Sequence, residues 1–321
     1  TDVRGSSLLK SMSHYVVLSG SPSTKGFTKV INMLKIFFGI LQSTYYLYRT
    51  KVNLVIGFGG YTSVPIILAA KILNIPSIIH EQNKILGRAN KFCSLFCNKV
   101  ALSFNLKENV KNPKFVLTGN PVSQDFENLQ YSRSNIDKSK FVLLIIGGSQ
   151  GASIFSEVVP KAIKSLPEKI KNKIYIYQQC RKNEERDLKK IYKKLGIKFT
   201  VSNYFHKIYE IFKKADLIIS RSGGSTIAEI IASGKPSFLI PLPNSLDNHQ
   251  RENAYELKNN NACILFEQKD FSEKSLSEKL NMVLSNKSYL REMSINAKSI
   301  YKKDAAKNLI ELILLTNKEI N

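Results

Sequence analysis

Short apolar runs recur along this chain at intervals set by longer amphipathic segments, and that alternation limits it to few architectures. "YVVLS" (15–19), "NLVIGF" (53–58), "SIIH" (77–80), "KVAL" (99–102) and "KFVLTG" (114–119) read as strands. "FVLLIIGG" (141–148), "KIYIYQQ" (173–179), "DLIIS" (216–220), "SFLIPL" (237–242) and "CILFE" (263–267) continue the series. Helical periodicity fills 29–50, 63–73, 151–164, 182–194, 224–233 and 248–259. Strands that are apolar throughout must be covered on both faces, which means parallel sheets between layers of helix. The class is α/β, doubly wound. A polar stretch without apolar period, 121–139, divides it. Two Rossmann-like domains follow, 1–123 and 124–304, facing a cleft, with the amphipathic segment 305–321 returning to complete the first.

Composition excludes several classes. The apolar fraction of 43% over 321 residues is enough for two cores. Cys93, Cys97, Cys180 and Cys263 form no CxxC pair, so they read as reduced structural thiols of a cytoplasmic protein. Four histidines are too scattered for a metal cluster. No apolar run reaches the ~18 residues of a spanning helix, and no signal peptide is visible. The net charge of +23 has two readings: an anionic partner, or a general bias towards lysine. The lysines are spread over most segments and not clustered with exposed aromatics, which argues against nucleic acid as the partner.

The chemistry gathers where strands end. "LLIIGGSQGAS" (143–153) is strand, glycine turn, helix, and "SRSGGSTIAEI" (220–230) repeats the device. Glycines let a ligand approach the backbone, and a new helix aims N–H groups and a positive dipole end at an anion. Two such entries in one domain suit a diphosphate. Glu229 lies one turn inside the second helix. There it either accepts hydrogen bonds from a vicinal diol such as ribose or is an ordinary first-turn acid. "DNHQREN" (247–253) places Gln250 and Asn253 on one helix face, where amides either read sugar hydroxyls or belong to a capping cluster. In the first half, "GFGGYTS" (57–63) and "IIHEQNKILGRANKF" (78–92) follow strands. His80 and Glu81 are either an acid–base pair or a satisfied buried polar pair.

Taken in order, "GFGGY", "HEQN", "TGNPV", "GGSQGA", "RSGGST" with Glu229, "GKP" and "DNHQ" resemble the MurG family. Its members are the bacterial UDP-N-acetylglucosamine transferases that turn lipid I into lipid II. The resemblance covers nearly the whole chain and implies a GT-B-type fold. It also implies single-displacement transfer with inversion, needing no cofactor and no metal, with UDP-GlcNAc as donor. The acceptor is undecaprenyl-pyrophosphoryl-MurNAc-pentapeptide. By position, Ser149 and Gly223, Gly224, Ser225 and Thr226 would meet the donor diphosphate, with Glu229 on the ribose. Tyr204 or Phe205 would offer backbone to uracil, Gln250 and Asn253 would read GlcNAc, and Asn83 would reach the donor from the first domain. Arg221, His80 and Glu81 match positions tied to activity, with Tyr61 and Asn90 on the acceptor side.

The chain departs from the family pattern in three places. A glycine-rich first loop bearing the proposed general base has no counterpart here, so about forty residues are expected to precede Thr1, and the alternative readings are a donor-binding but inactive fragment, or another UDP-sugar GT-B transferase or epimerase. Ser123 stands where an arginine is usual, and Ser156 where an asparagine is common. A lipid acceptor further implies peripheral attachment to the cytoplasmic face of the inner membrane. The segment 30–51 combines Leu34, Phe37, Phe38 and Leu41 with Lys35 and Arg49, which suits anionic lipids. A core helix with solvated lysines is the other reading of that segment.

Overall fold

A computed structural model describes residues 13–22, 26–106, 112–129, 140–148 and 152–318, excepting the side chains of Leu246 and Lys287. The chain divides into two compact units. One comprises Thr1–Asn120 with Asp304–Asn321, and the other Pro121–Lys303. The first crossing thus lies three residues before the boundary read from the sequence, and the second one residue before it.

Among the described residues the first unit runs α1 (Phe27–Thr50), β1 (Val55–Gly57), α2 (Ser63–Ile72), β2 (Ser77–Glu81), α3 (Arg88–Cys93), β3 (Lys99–Leu102) and β4 (Phe115–Leu117). All pairs are parallel, in the order β1-β2-β3-β4. Alternate strand residues point to opposite faces. Val55, Ile79, Val100 and Leu102 pack on the side of α2 and α3. Ile78 and Ala101 point the other way, onto Leu309 and Leu312 of the C-terminal helix (Ala305–Lys318). That helix covers the second face of this sheet, as its amphipathic pattern requires.

Residues 15–19 correct the sequence reading, because they form no strand. The segment runs irregularly over α1. Its backbone is engaged by the helix: Leu18 N–H donates to Gln42 Oε1 at 2.9 Å. The Tyr15 ring stacks on Tyr46 at 4.3 Å. A Cβ at Gly39 would lie 1.9 Å from the Leu18 carbonyl oxygen, so the helix needs glycine where this segment crosses it. Tyr15, Val16 and Leu18 stay largely exposed, unlike strand residues of a covered sheet.

The second unit runs β5 (Phe141–Ile146), α4 (Ser153–Lys164), β6 (Ile174–Gln179), α5 (Glu185–Lys194), β7 (Lys198–Ser202), α6 (Ile208–Lys214), β8 (Leu217–Ser220), α7 (Gly224–Ser233), β9 (Ser237–Leu239), α8 (His249–Asn259) and β10 (Cys263–Leu265). Helices α9 (Glu273–Ser285) and α10 (Lys287–Ile300) complete it. One-turn helices occur at Gln124–Glu127 and Glu168–Lys171. The sheet is parallel, in the order β10-β9-β8-β5-β6-β7. Strand β7, "KFTVS", is missing from the apolar runs read above. It is an edge strand and carries polar residues, so its pattern is weak. Leu143 and Ile145 of β5 lie in the main core cluster, and Leu144, which points to the other face, is also fully buried.

The strand order fixes where a ligand can sit. From β5 the chain steps outward to β6 and β7, then returns to the other side of β5 as β8. The connections on the two sides of β5 therefore run apart. A crevice is left at the carboxyl ends of β5 and β8, the position where open α/β sheets bind ligands.

Candidate active site

Ile146 of β5 is in register with Ser220 of β8, so both glycine turns leave the sheet at one level. Between them lies a cavity of about 790 Å3. Gly147 and Gly148 line it from β5, and Arg221 and Gly223–Thr226 line it from β8. Gly148 has φ +78°, a conformation that favours glycine. Gly223 is the N-cap of α7, and no side chain caps that helix. A Cβ at Gly223 would meet nothing within 4 Å, so the backbone faces open space. The positive end of α7 thus opens into the cavity without a side-chain cap.

Arg221 is buried at the floor. Its Nη1 donates to the Ile240 and Pro241 carbonyls at 3.0 and 3.1 Å, and Nη2 donates to Gln268 Oε1 at 2.7 Å. The guanidinium also lies 5.3 Å over the Phe155 ring. No carboxylate pairs with it among the described residues, so its charge adds to the positive field of the floor. Gln250 enters from α8, where its Oε1 accepts from Leu242 N–H at 3.0 Å. That bond leaves the amide nitrogen as a donor for a ligand.

Other residues singled out in the sequence lie around this cavity without lining it. Asn253 is completely buried, and its Nδ2 donates to the Ser222 carbonyl at 3.0 Å. It braces the β8 turn through this bond. Glu229 lies on α7, and burial pushes its carboxyl up to about 7. Among the described residues no group hydrogen-bonds that carboxyl. Tyr204 and Phe205 follow β7, Tyr204 exposed and Phe205 edge-on to Tyr177 at 6.4 Å. Ser149 lies outside the described residues. Ser123 caps the Gln124–Glu127 turn, accepting from Asp125 N–H at 3.3 Å. Ser156 Oγ donates to Glu184 Oε2 at 2.7 Å.

In the first unit, His80 and Glu81 form a frame. The Gly119 carbonyl can only accept, so His80 Nε2, 3.0 Å away, carries the ring proton. His80 is fully buried, and desolvation lowers its pKa despite the opposing pull of Gly119 and Glu81. Glu81 accepts four hydrogen bonds. Oε1 takes Asn83 N–H and Asn83 Nδ2 at 3.0 and 2.8 Å. Oε2 takes Gly87 N–H and Asn90 Nδ2 at 3.0 and 2.7 Å. A carboxylate so occupied orders its loop and has no free lone pair for proton transfer. These bonds are those of a buried polar pair. Asn90 also donates to the His80 carbonyl at 3.2 Å. Tyr61 sits in the turn before α2 and packs against the core.

Helix α1 is built the reverse way from most surface helices. It buries the small residues Gly39 and Ser43 together with Leu47. It exposes Leu34, Phe37, Phe38 and Leu41, each more than half exposed, along with Val30, Tyr45 and Tyr48. These positions share one face, opposite the buried stripe. No helix of the described residues is long and apolar enough to cross a membrane. Nor do the described residues contain a group of three His, Cys, Asp or Glu able to hold a metal ion.

Sequence reasoning missed Arg181, Leu242, Gln268 and Glu157 in the cavity wall. Arg181 stands just beyond β6, at the same sheet edge as both glycine turns. That position was the available signal.

The glycosyltransferase family 28 C-terminal domain matches residues 142–309, and the family 28 N-terminal domain matches residues 10–102. A Wolbachia pipientis protein is 39% identical over 88% of this chain and 83% of its own length. A Paramagnetospirillum magneticum protein is 34% identical over 98% and 87%. Both are described as UDP-N-acetylglucosamine--N-acetylmuramyl-(pentapeptide) pyrophosphoryl-undecaprenol N-acetylglucosamine transferases. The crystal structure of Acinetobacter baumannii MurG is similar at TM-score 0.77 and 28% identity, over 97% of this chain and 87% of that one. The fold is thus the GT-B type with two parallel-sheet α/β domains.

Proposed function

The chain belongs to glycosyltransferase family 28, and from that premise we propose that it moves GlcNAc from UDP-GlcNAc to lipid I, giving lipid II for peptidoglycan. The observation that carries this reading is the cavity at the β5–β8 crevice, with two glycine turns, a helix start that no side chain caps and a buried arginine around one space. That space suits a nucleoside diphosphate sugar. In the reaction the 4-hydroxyl oxygen of MurNAc bonds to C1 of GlcNAc with inversion. The bond from C1 to the β-phosphate oxygen breaks, its electron pair stays with UDP, and the hydroxyl proton goes to a base.

The second unit supplies the leaving-group side. Negative charge grows on the diphosphate as the bond breaks. Donors and dipoles fixed in advance stabilise such charge without reorganising at the moment of reaction. The Gly223–Thr226 helix start and the Arg221 field are assigned to this, and they would serve whether or not a cation accompanies the diphosphate. Glu229 is assigned to the ribose diol, Gln250 to GlcNAc hydroxyls, and Tyr204 and Phe205 to uracil. In the first unit, the Glu81 frame fixes Asn83 and Asn90 for substrate.

We assign the exposed face of α1 to a membrane surface. An apolar face edged by Lys35 and Arg49 matches the interface of an anionic leaflet, and a lipid-linked acceptor requires the enzyme to work there. The setting is the cytoplasmic face of the inner membrane. Transfer of labelled GlcNAc from UDP-GlcNAc to a lipid I analogue tests the reading. Lipid II formation that requires both substrates supports it, and consumption of UDP-GlcNAc without any need for acceptor contradicts it.

A further inference from the structure

Ile145 of β5 is in register with Gln178 of β6, so the β6 turn leaves the sheet beside the β5 glycine turn, opposite β8. Arg181 stands in that turn and lines the cavity. Its position is fixed by the backbone. The Arg181 carbonyl accepts from Glu184 N–H at 2.9 Å, and its own N–H donates to Glu184 Oε2 at 3.4 Å. Ser156 holds the same carboxylate oxygen at 2.7 Å, anchoring the turn to α4. The side chain itself is exposed.

Among the described residues two cationic side chains, Arg181 and Arg221, line the cavity, and they differ in what they can still do. Arg221 is committed to two carbonyls, an amide and an aromatic face. Arg181 has no hydrogen bond or ion pair from its guanidinium among the described residues. Among the described lining residues the carboxylate is that of Glu157, which pairs with Lys161 at 3.4 Å. The wall thus presents a free guanidinium with five donors, next to a glycine turn and across from a positive helix end. A planar fork of donors is suited to a pair of phosphate oxygens.

We propose that Arg181 is a ligand for the diphosphate of the sugar nucleotide, closing the side of the crevice that the two glycine turns leave open. It holds the leaving group and meets the charge that grows there. This inference rests on the donor reading above. Arg221 sets the field of the floor, and Arg181 makes the direct contact.

The test compares UDP-GlcNAc, UDP and uridine by calorimetric titration of the full chain and of Arg181→Ala and Arg181→Lys. An exposed side chain can be replaced without loss of fold, and circular dichroism checks this. The proposal expects Arg181→Ala to weaken UDP and UDP-GlcNAc by about 10–100-fold, the range for a lost charge-assisted hydrogen bond. Uridine affinity stays as it was. Arg181→Lys falls between, since it keeps the charge and loses the fork. Equal affinity of the alanine variant for UDP would overturn the proposal, as would an equal loss for UDP and uridine. A folded unmutated chain that binds neither UDP nor UDP-GlcNAc would overturn the donor reading itself and this inference with it.

Discussion

Asn253 Nδ2 donates to the carbonyl of Ser222 at 3.0 Å, while Ser222 Oγ donates to the carbonyl of Gln250 at 2.7 Å. These two bonds tie α8 to the β8 turn in both directions and set Gln250 at the cavity edge. Both Asn253 and Ser222 are fully buried. Asn253→Ala should therefore cost about 1–3 kcal/mol of stability, because it strands a buried carbonyl. Urea unfolding reads that loss. UDP-GlcNAc affinity should drop as well, since the turn loses its brace. A variant of unchanged stability would remove the tie from the account.

Glu229 makes donor binding depend on pH. Burial holds its carboxyl up to about 7, and a ribose diol donating to it favours the charged form. Affinity for UDP-GlcNAc should rise between pH 6 and 8, with proton release on binding, and Glu229→Gln should remove that rise. Stability runs the other way. The folded carboxyl is raised above its ordinary 4.5, so between about 4.5 and 7 the folded state holds more protons than the unfolded one. Stability then falls as pH climbs through that window, and Glu229→Gln should flatten the fall. Titrations and unfolding curves across this range decide both points.

Gly223 separates binding from folding. A Cβ there meets no protein atom within 4 Å, and its φ of −66° suits any residue. Gly223→Ala should leave the melting temperature within about 2 °C of the unmutated chain. It should weaken UDP-GlcNAc at least tenfold, because the methyl group stands where phosphate must approach. Calorimetric titration and a melting curve on one sample give both readings. Unaltered affinity would move the diphosphate away from this turn.

The crevice was legible because its signals are local. A glycine pair after a buried strand and a glycine at the start of a helix can each be seen without knowing the fold. What the sequence could not show was direction. Asn253 and Gln250 share a helix face by spacing, yet one braces the turn and the other lines the cavity. His80 and Glu81 look like chemistry as residue types. Only their partners, Gly119 and the 83–90 loop, reveal a frame. The segment 15–19 has strand composition but lies over α1, because its contacts are with Gly39, Gln42 and Tyr46 and not with a sheet edge. Strand β7 failed in the opposite sense: at a sheet edge it needs little apolar pattern.

The outward face of α1 should govern attachment to lipid and nothing else. Phe37→Glu with Phe38→Glu places two negative charges on exposed positions, at little cost to folding. Sedimentation with anionic vesicles should fall sharply for this double variant, while UDP-GlcNAc binding in solution should stay the same. Vesicle binding that persists at low salt would locate the lipid contact elsewhere.

Calorimetric titration of the 321-residue chain with UDP-GlcNAc, using UDP-glucose as the competitor sugar nucleotide, bears most directly on the central claim. Saturable binding of one equivalent to the β5–β8 crevice is expected, with preference for UDP-GlcNAc. A folded chain that binds neither nucleotide, or binds both alike, would contradict it.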